Sequence, residues 1–262
     1  MSDFVIKVNF PECSPTLVYL PGIHGDSTLA QKIRRHFENK TCFVEIEYSK
    51  RTDLKLTDYA RSIENLLIKN EIKECWLLAE SFGSQVAWAI VSEKRAFKVK
   101  GIILAGGFVR HPFIPGVRVV KTISKVLSIR LIELWLKFYV AVCRIFFRKK
   151  KTKNQPSLEQ PVPEQFVKNR LDDADRLAII SRYDLIIRND FRPTACNSSI
   201  PVYFISGKWD FIVPWQPVLK WLKKNCPGFK DYKILPNADH PVLSVAPENS
   251  AHQILSWIKK DD

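Results

Sequence analysis

Six short apolar runs punctuate this chain: Thr16–Leu20, Phe43–Tyr48, Trp76–Ala79, Gly101–Ala105, Val202–Ile205 and Tyr232–Leu235. Most are continuous rather than alternating. A strand with one wet face alternates; a continuous run needs cover on both faces, as in a parallel sheet. Stretches with helical spacing separate the runs. Ser27–Asn39 reads as one helix, and Leu56–Lys69 places Tyr59, Ile63, Leu66 and Leu67 near one face. Phe82–Ser92 follows the third run directly. Trp215–Asn225 and Pro247–Lys259 complete the set, with Pro247 where a helix start tolerates proline. This alternation predicts an α/β fold, a mostly parallel β-sheet flanked by helices with right-handed crossovers. With 262 residues, 46% of them hydrophobic, the chain can bury one sizeable core.

One region breaks the pattern. Phe108 to about Cys196 shows no clear strand. Val117–Phe147 carries Val120, Ile123, Leu127, Leu131, Leu134, Phe138, Val142 and Ile145 at steps of three or four, a helical stripe. The run Lys149–Lys153, a polar loop to Pro163 and further helical pattern through Arg188 follow. The expected organisation is a core of residues 1–107 and 197–262 with an inserted helical cap over 108–196. Arg130, Glu133, Lys137 and Arg144 interrupt the stripe, which argues against a membrane span.

Charge concentrates in the same region. The formal net charge is +14, and twelve basic residues with one acid, Glu133, lie between Val109 and Lys153. A basic element on a near-neutral scaffold is compatible with peripheral contact to an anionic membrane. No recognised nucleic-acid-binding module accompanies it, so nucleic acid is disfavoured as a partner. Six scattered cysteines without a CxxC pair fit neither a metal site nor a disulfide framework. The first residues lack a basic start followed by a long apolar run. The expected setting is cytoplasmic, with the inner membrane surface as a peripheral location.

Chemistry concentrates just after the runs. Trp76–Ala79 leads through Glu80 to Ser81, and a helix begins at once. Such a turn strains the serine backbone, exposes the hydroxyl and requires small neighbours two residues away, here Ala79 and Gly83. Ile200–Ile205 leads through Ser206-Gly207-Lys208-Trp209 to Asp210, a carboxylate able to hold an imidazole Nδ1–H. Leu235-Pro236-Asn237-Ala238-Asp239 leads to His240, whose ordinary pKa near 6.5 suits proton shuttling. Each has a plainer explanation alone: a helix cap, a solvated turn carboxylate, an incidental loop histidine. Their order Ser, Asp, His, each after a strand, assigns Ser81 as nucleophile, Asp210 as orienting acid and His240 as base. An oxyanion would need backbone N–H donors, expected from Phe82 and from Ile23 in the Pro21-Gly22-Ile23-His24-Gly25 loop; Asp26 is the alternative second donor. His24 is expected to be structural.

These segments resemble those of the α/β-hydrolases. The resemblance rests on Pro21–Gly25, Ala79–Gly83 (where Ala79 replaces the usual glycine), Gly207–Asp210 and Asp239-His240, and on the return Asp190-Phe191-Arg192-Pro193 into Ile200-Pro201-Val202. It spans about Thr16–Gly107 and Ile200–Lys259 and leaves Phe108–Asn189 uncovered. It implies the family's fold and triad roles, hence a serine hydrolase of the esterase or lipase kind whose mechanism needs no metal and no organic cofactor; the wide apolar stripe of the expected cap suggests a small-molecule, lipid-like ester or thioester with an apolar acyl chain. Acyl transfer to another acceptor, or carbon–carbon cleavage by the same triad, stays open. So does a non-catalytic scaffold that binds a membrane or a partner.

Overall fold

Residues alternate between the two faces of the central sheet, and both faces are covered. The computed structural model describes residues 4–126 and 173–261. Its strands are β1 (Val5–Asn9), β2 (Thr16–Leu20), β3 (Cys42–Glu47), β4 (Glu74–Glu80), β5 (Lys98–Ala105), β6 (Val202–Gly207) and β7 (Phe229–Leu235), in the order β1-β3-β2-β4-β5-β6-β7. Only β1 runs antiparallel to its neighbour. Along β2, Val18 and Leu20 join one core layer while Leu17 and Tyr19 join the other, and β4 divides likewise into Leu77/Ala79 and Trp76/Leu78. This double burial is the physical content of the continuous apolar runs.

The helices among the described residues are α1 (Gln31–Arg34), α2 (Leu56–Lys69), α3 (Gly83–Val91), α4 (Ile114–Val126), α5 (Asp173–Arg188), α6 (Arg192–Asn197), α7 (Trp215–Asn225), α8 (Val242–Val245) and α9 (Pro247–Asp261). One layer packs α2, α3 and α7 on the sheet; the other packs the residues around α1 with α8 and α9. Trp76 finds its space because Gly101 of the neighbouring strand has no side chain: a Cβ there would lie 2.1 Å from the indole.

Three expectations need adjustment. Ser27–Asn39 is not one helix: tighter turns at Thr28–Ala30 and Arg35–Phe37 flank the four residues of α1. Ala30, Ile33 and Phe37 are still buried at helical spacing, but i→i+3 geometry brings the short segment down onto the sheet. Strand β1 was not anticipated because its five residues are largely half-exposed and carry no continuous apolar run. Strand β7 begins earlier than its apolar part, since an edge strand can carry exposed Lys230, Asp231 and Lys233.

No strand lies within the described residues between β5 and β6. Helix α4 packs against α5, where Lys121 pairs with Asp184. Arg110 pairs with Asp190 at 2.5 Å. The Arg192 and Arg110 hydrogen bonds to Asp190 hold that carboxyl down at a pKa of about 2. Of the twelve basic residues, Arg118 and Lys125 are exposed, Arg110 and Lys121 are in these pairs, and the rest lie outside the described residues. The apolar stripe beyond Val126, the Lys149–Lys153 run and the loop to Pro163 also lie outside them. No helix among the described residues is long and apolar enough to cross a membrane.

Candidate active site

The order of strands places a crevice where connections diverge. From β2 the chain crosses to β3 on one side, and β4 then lies on the other. Loops at the carboxyl ends of β2 and β4 therefore face each other, the usual ligand position in an open α/β sheet. Ser81 leaves β4 with φ 50, a backbone state costly for a residue with a side chain. Its N–H donates to the Ala105 carbonyl at 3.0 Å, and α3 starts two residues later. Gly83 permits the sharp bend: a Cβ there would lie 2.2 Å from the Leu20 carbonyl oxygen.

Ser81, His240 and Asp210 meet although they come from three distant segments. His240 Nε2 lies 2.8 Å from Ser81 Oγ, and His240 Nδ1 lies 2.8 Å from Asp210 Oδ2. An ionised carboxylate only accepts, so Nδ1 carries the proton and Nε2 accepts from the serine hydroxyl. Asp210 is itself fixed by its own turn: Oδ1 accepts the N–H groups of Ile212 at 3.1 Å and Val213 at 2.8 Å. Burial disfavours the charged imidazolium of His240. The Asp210 carboxylate, hydrogen-bonded to Nδ1, outweighs that with help from Glu80 and Asp239, so His240 titrates above its ordinary 6.5.

The loop after β2 passes directly over the serine. A Cβ on Gly22 would lie 3.4 Å from the Ser81 Cβ. Among the described residues, the N–H groups of Phe82 and Ile23 donate to no backbone carbonyl. Phe82 also stands at the N-terminal, electropositive end of α3. Asp26 lies beyond Gly25, and its Oδ1 accepts the Thr28 N–H at 2.9 Å. No group of acidic, histidine and cysteine residues suited to a metal occurs among the described residues.

No protein-family model matches the sequence, and no curated protein matches it. Solved structures do. An esterase from Exiguobacterium antarcticum superposes with a TM-score of 0.73 at 15% identity, covering 98% of this chain and 96% of its own. An alpha/beta hydrolase enzyme from a Medee basin deep-sea metagenome library gives 0.77 at 14% identity, covering 98% and 94%. The enol-lactonase from Burkholderia xenovorans gives 0.77 at 12% identity, covering 98% and 96%. The chain has the α/β-hydrolase fold.

Within this hydrolase fold, four contributors escaped the sequence reading. Gly106, at φ 55, packs against the His–Asp pair: a Cβ there would lie 3.2 Å from His240 Nδ1 and 3.3 Å from Asp210 Oδ2. The Gly106-Gly107 pair ending β5 was its visible signal. His111 is buried, accepts the Phe113 N–H on Nδ1 at 3.1 Å and thus donates Nε2–H to the Ile212 carbonyl at 3.2 Å. It steadies the turn that carries Asp210. Burial drives its pKa down to about 4, so it is neutral at pH 7. Glu80, buried beside the serine, accepts the Tyr19 hydroxyl hydrogen bond. Burial, then the Glu80 charge, keeps that phenol far above its ordinary 10. Arg182 is a cation on the buried face of α5; its only sequence signal was its place among Ala178 and Ile186 at steps of four.

Proposed function

We propose that the protein is a serine hydrolase cleaving a carboxylic ester or thioester with an apolar acyl chain. The observation that carries this reading is the unbroken hydrogen-bonded chain Ser81–His240–Asp210, with both links at 2.8 Å. His240 Nε2 takes the serine proton as Oγ attacks the carbonyl carbon. The carbonyl electrons move onto oxygen, where the Phe82 and Ile23 N–H groups stabilise the charge. The tetrahedral species collapses, the carbon–oxygen or carbon–sulfur bond breaks, and imidazolium returns its proton to the leaving alcohol or thiol. Water, deprotonated by the same imidazole, then attacks the acyl carbon; the bond to Ser81 Oγ breaks, imidazolium returns the proton to Oγ, and the acid leaves. Throughout, Asp210 holds the tautomer and stabilises imidazolium without taking its proton. Each backbone donor is worth about 3–4 kcal/mol of barrier.

Two features support an apolar acyl ester. Phe211 and Ile212, next to Asp210, are 82% and 55% exposed, and Phe113, tethered to His111, is 59% exposed. An esterase and an enol-lactonase share the fold, and a lactone is a cyclic ester. Peripheral contact with anionic lipid belongs to the same proposal, because exposed Arg118 and Lys125 accompany exposed Val119, Val120 and Ile123 on α4. The described cysteines are free thiols, in keeping with a cytoplasmic setting.

A fluorophosphonate that reports on activated serines tests the core of this reading. Wild type labels and Ser81→Ala does not; equal labelling of both overturns it. Aryl esters of increasing acyl length, with product analysis, then define the chain preferred and whether water is the acceptor. Sedimentation with vesicles, with and without anionic lipid and at low and high salt, tests the membrane part. Binding indifferent to both removes it.

A further inference from the structure

The core-facing stripe of α5 contains a charge. Ala178, Arg182 and Ile186 recur every fourth residue, and Arg182 is only 2% exposed. Removing a guanidinium from water costs several kcal/mol unless hydrogen bonds replace its hydration. Its nitrogens reach three separate elements. Nη1 donates to the Ile23 carbonyl at 2.9 Å, Nη2 to the Ser49 carbonyl at 2.9 Å, and Nε to the Tyr59 hydroxyl at 3.3 Å. The guanidinium carbon also lies 5.6 Å from the centre of the Tyr48 ring, a favourable cation–π approach. Gly25 makes the space: it has φ +80, and a Cβ there would lie 2.5 Å from Nη1.

The first of these contacts falls on the turn over Ser81. Gly22 to Gly25 is a four-residue turn closed by the Gly25 N–H donating to the Gly22 carbonyl at 3.0 Å. Its central peptide joins Ile23 to His24. The common turn types differ by a flip of that central peptide, so its orientation is the soft coordinate of such a turn. Arg182 holds the carbonyl of that peptide. The Gly25 carbonyl, in turn, accepts the Tyr48 N–H at 2.7 Å, which ties the turn to the chain leaving β3. The guanidinium thus bridges the exits of two neighbouring parallel strands.

We propose that Arg182 is a positioning residue: by holding the Ile23 carbonyl it fixes residue 23 in the Gly22–Gly25 turn, and so keeps the N–H of that residue, carried by the preceding Gly22–Ile23 peptide, aimed at the oxyanion formed on the Ser81 adduct. This rests on the serine-hydrolase reading. Without the guanidinium the turn samples other geometries, and fewer molecules present the donor when charge develops. The loss falls on the transition state more than on the bound ester.

Wild type, Ser81→Ala, Arg182→Lys and Arg182→Met are compared. Each is assayed for thermal stability and for active sites by fluorophosphonate titration. Then kcat and KM on an aryl ester and the affinity of an alkyl boronic acid, a tetrahedral mimic, are measured per titrated site for wild type and the two Arg182 variants, with Ser81→Ala as the unlabelled blank. The expected result for Arg182→Met is kcat about 10- to 100-fold lower with KM changed by less than about threefold. Boronate affinity falls in parallel with kcat/KM. Arg182→Lys keeps charge and stem but not the fork to two carbonyls, and recovers only part of the rate. Unchanged kcat per site in either variant, whatever happens to stability, overturns the proposal. If Arg182→Met does not fold, Arg182→Lys decides alone. A wild type that neither labels nor hydrolyses esters overturns the serine-hydrolase reading itself, a result distinct from normal labelling with indifferent Arg182 variants.

Discussion

The two walls of the crevice are held by different means. On the Ser81 side, the tethers come from β5, from the first turn of α3 and from the turn after β6: Ala105 receives the Ser81 N–H, Ser84 Oγ donates to the Ser81 carbonyl at 2.6 Å, and the turn after β6 grips Asp210. On the opposite wall, the Gly22–Gly25 turn takes a hydrogen bond from α5, which belongs to the chain between β5 and β6. The placement of Ser81 is therefore built into the core, whereas the Gly22–Gly25 turn and, through His111, the turn of Asp210 depend partly on the intervening segment. Damage to the first should remove the chemistry; damage to the second should slow it and leave the serine reactive.

The most severe test of that contrast is Ser81→Ala, expected to lower kcat about 10⁵- to 10⁶-fold in ester hydrolysis and to abolish fluorophosphonate labelling. Next comes Asp210→Asn, expected to lower kcat about 10⁴-fold. In wild type, kcat/KM should rise with pH and level off above a pKa higher than 6.5, because only neutral His240 accepts the serine proton. In Asp210→Asn the principal upward influence on His240 is gone while its burial persists, so the acidic limb should move to lower pH. A limb that stays in place would show that Asp210 does not set the base.

A smaller effect concerns the tether at the segment's start. Folded His111 titrates near 4, below its ordinary 6.5, so the unfolded chain binds its proton first as pH falls. The stability contributed is present above about 6.5, declines as pH falls and is lost by about 4, in all about 3 kcal/mol. His111→Phe should flatten this part of the dependence in urea unfolding at pH 7.5, 6 and 5; an unchanged slope would assign the acid sensitivity elsewhere. The mildest is Gly106→Ala. With φ 55 and a Cβ 3.1–3.3 Å from His240 and Asp210 atoms, it should cost about 1–2 kcal/mol of stability and about tenfold in kcat/KM. If stability falls but kcat/KM holds, the close packing there serves the fold alone.

The sheet was legible because burial on both faces writes continuous apolar runs, and Ser81, Asp210 and His240 were legible because each follows such a run within a few residues. What stayed hidden follows from sequence distance. Arg182 serves Ile23 and Ser49 across separations of 159 and 133 residues, and nothing near it announces an acceptor. His111 and Gly106 act on the turn of Asp210, about a hundred residues onward, so local spacing had nothing to match. The broken helix at 28–37 failed for another reason: apolar spacing of three and four suits α and tighter turns alike.

The pairing of Arg110 with Asp190 joins positions 80 residues apart, close to where the chain leaves β5 and returns toward β6. Two parallel strands already lie side by side there, so this clasp closes a loop whose closure entropy grows only with the logarithm of its length. Insertions and deletions between the clasped ends would disturb the sheet register little. That tolerance does not extend to His111 and Arg182, which lie between the clasped ends and hold the turns beside Asp210 and Ser81.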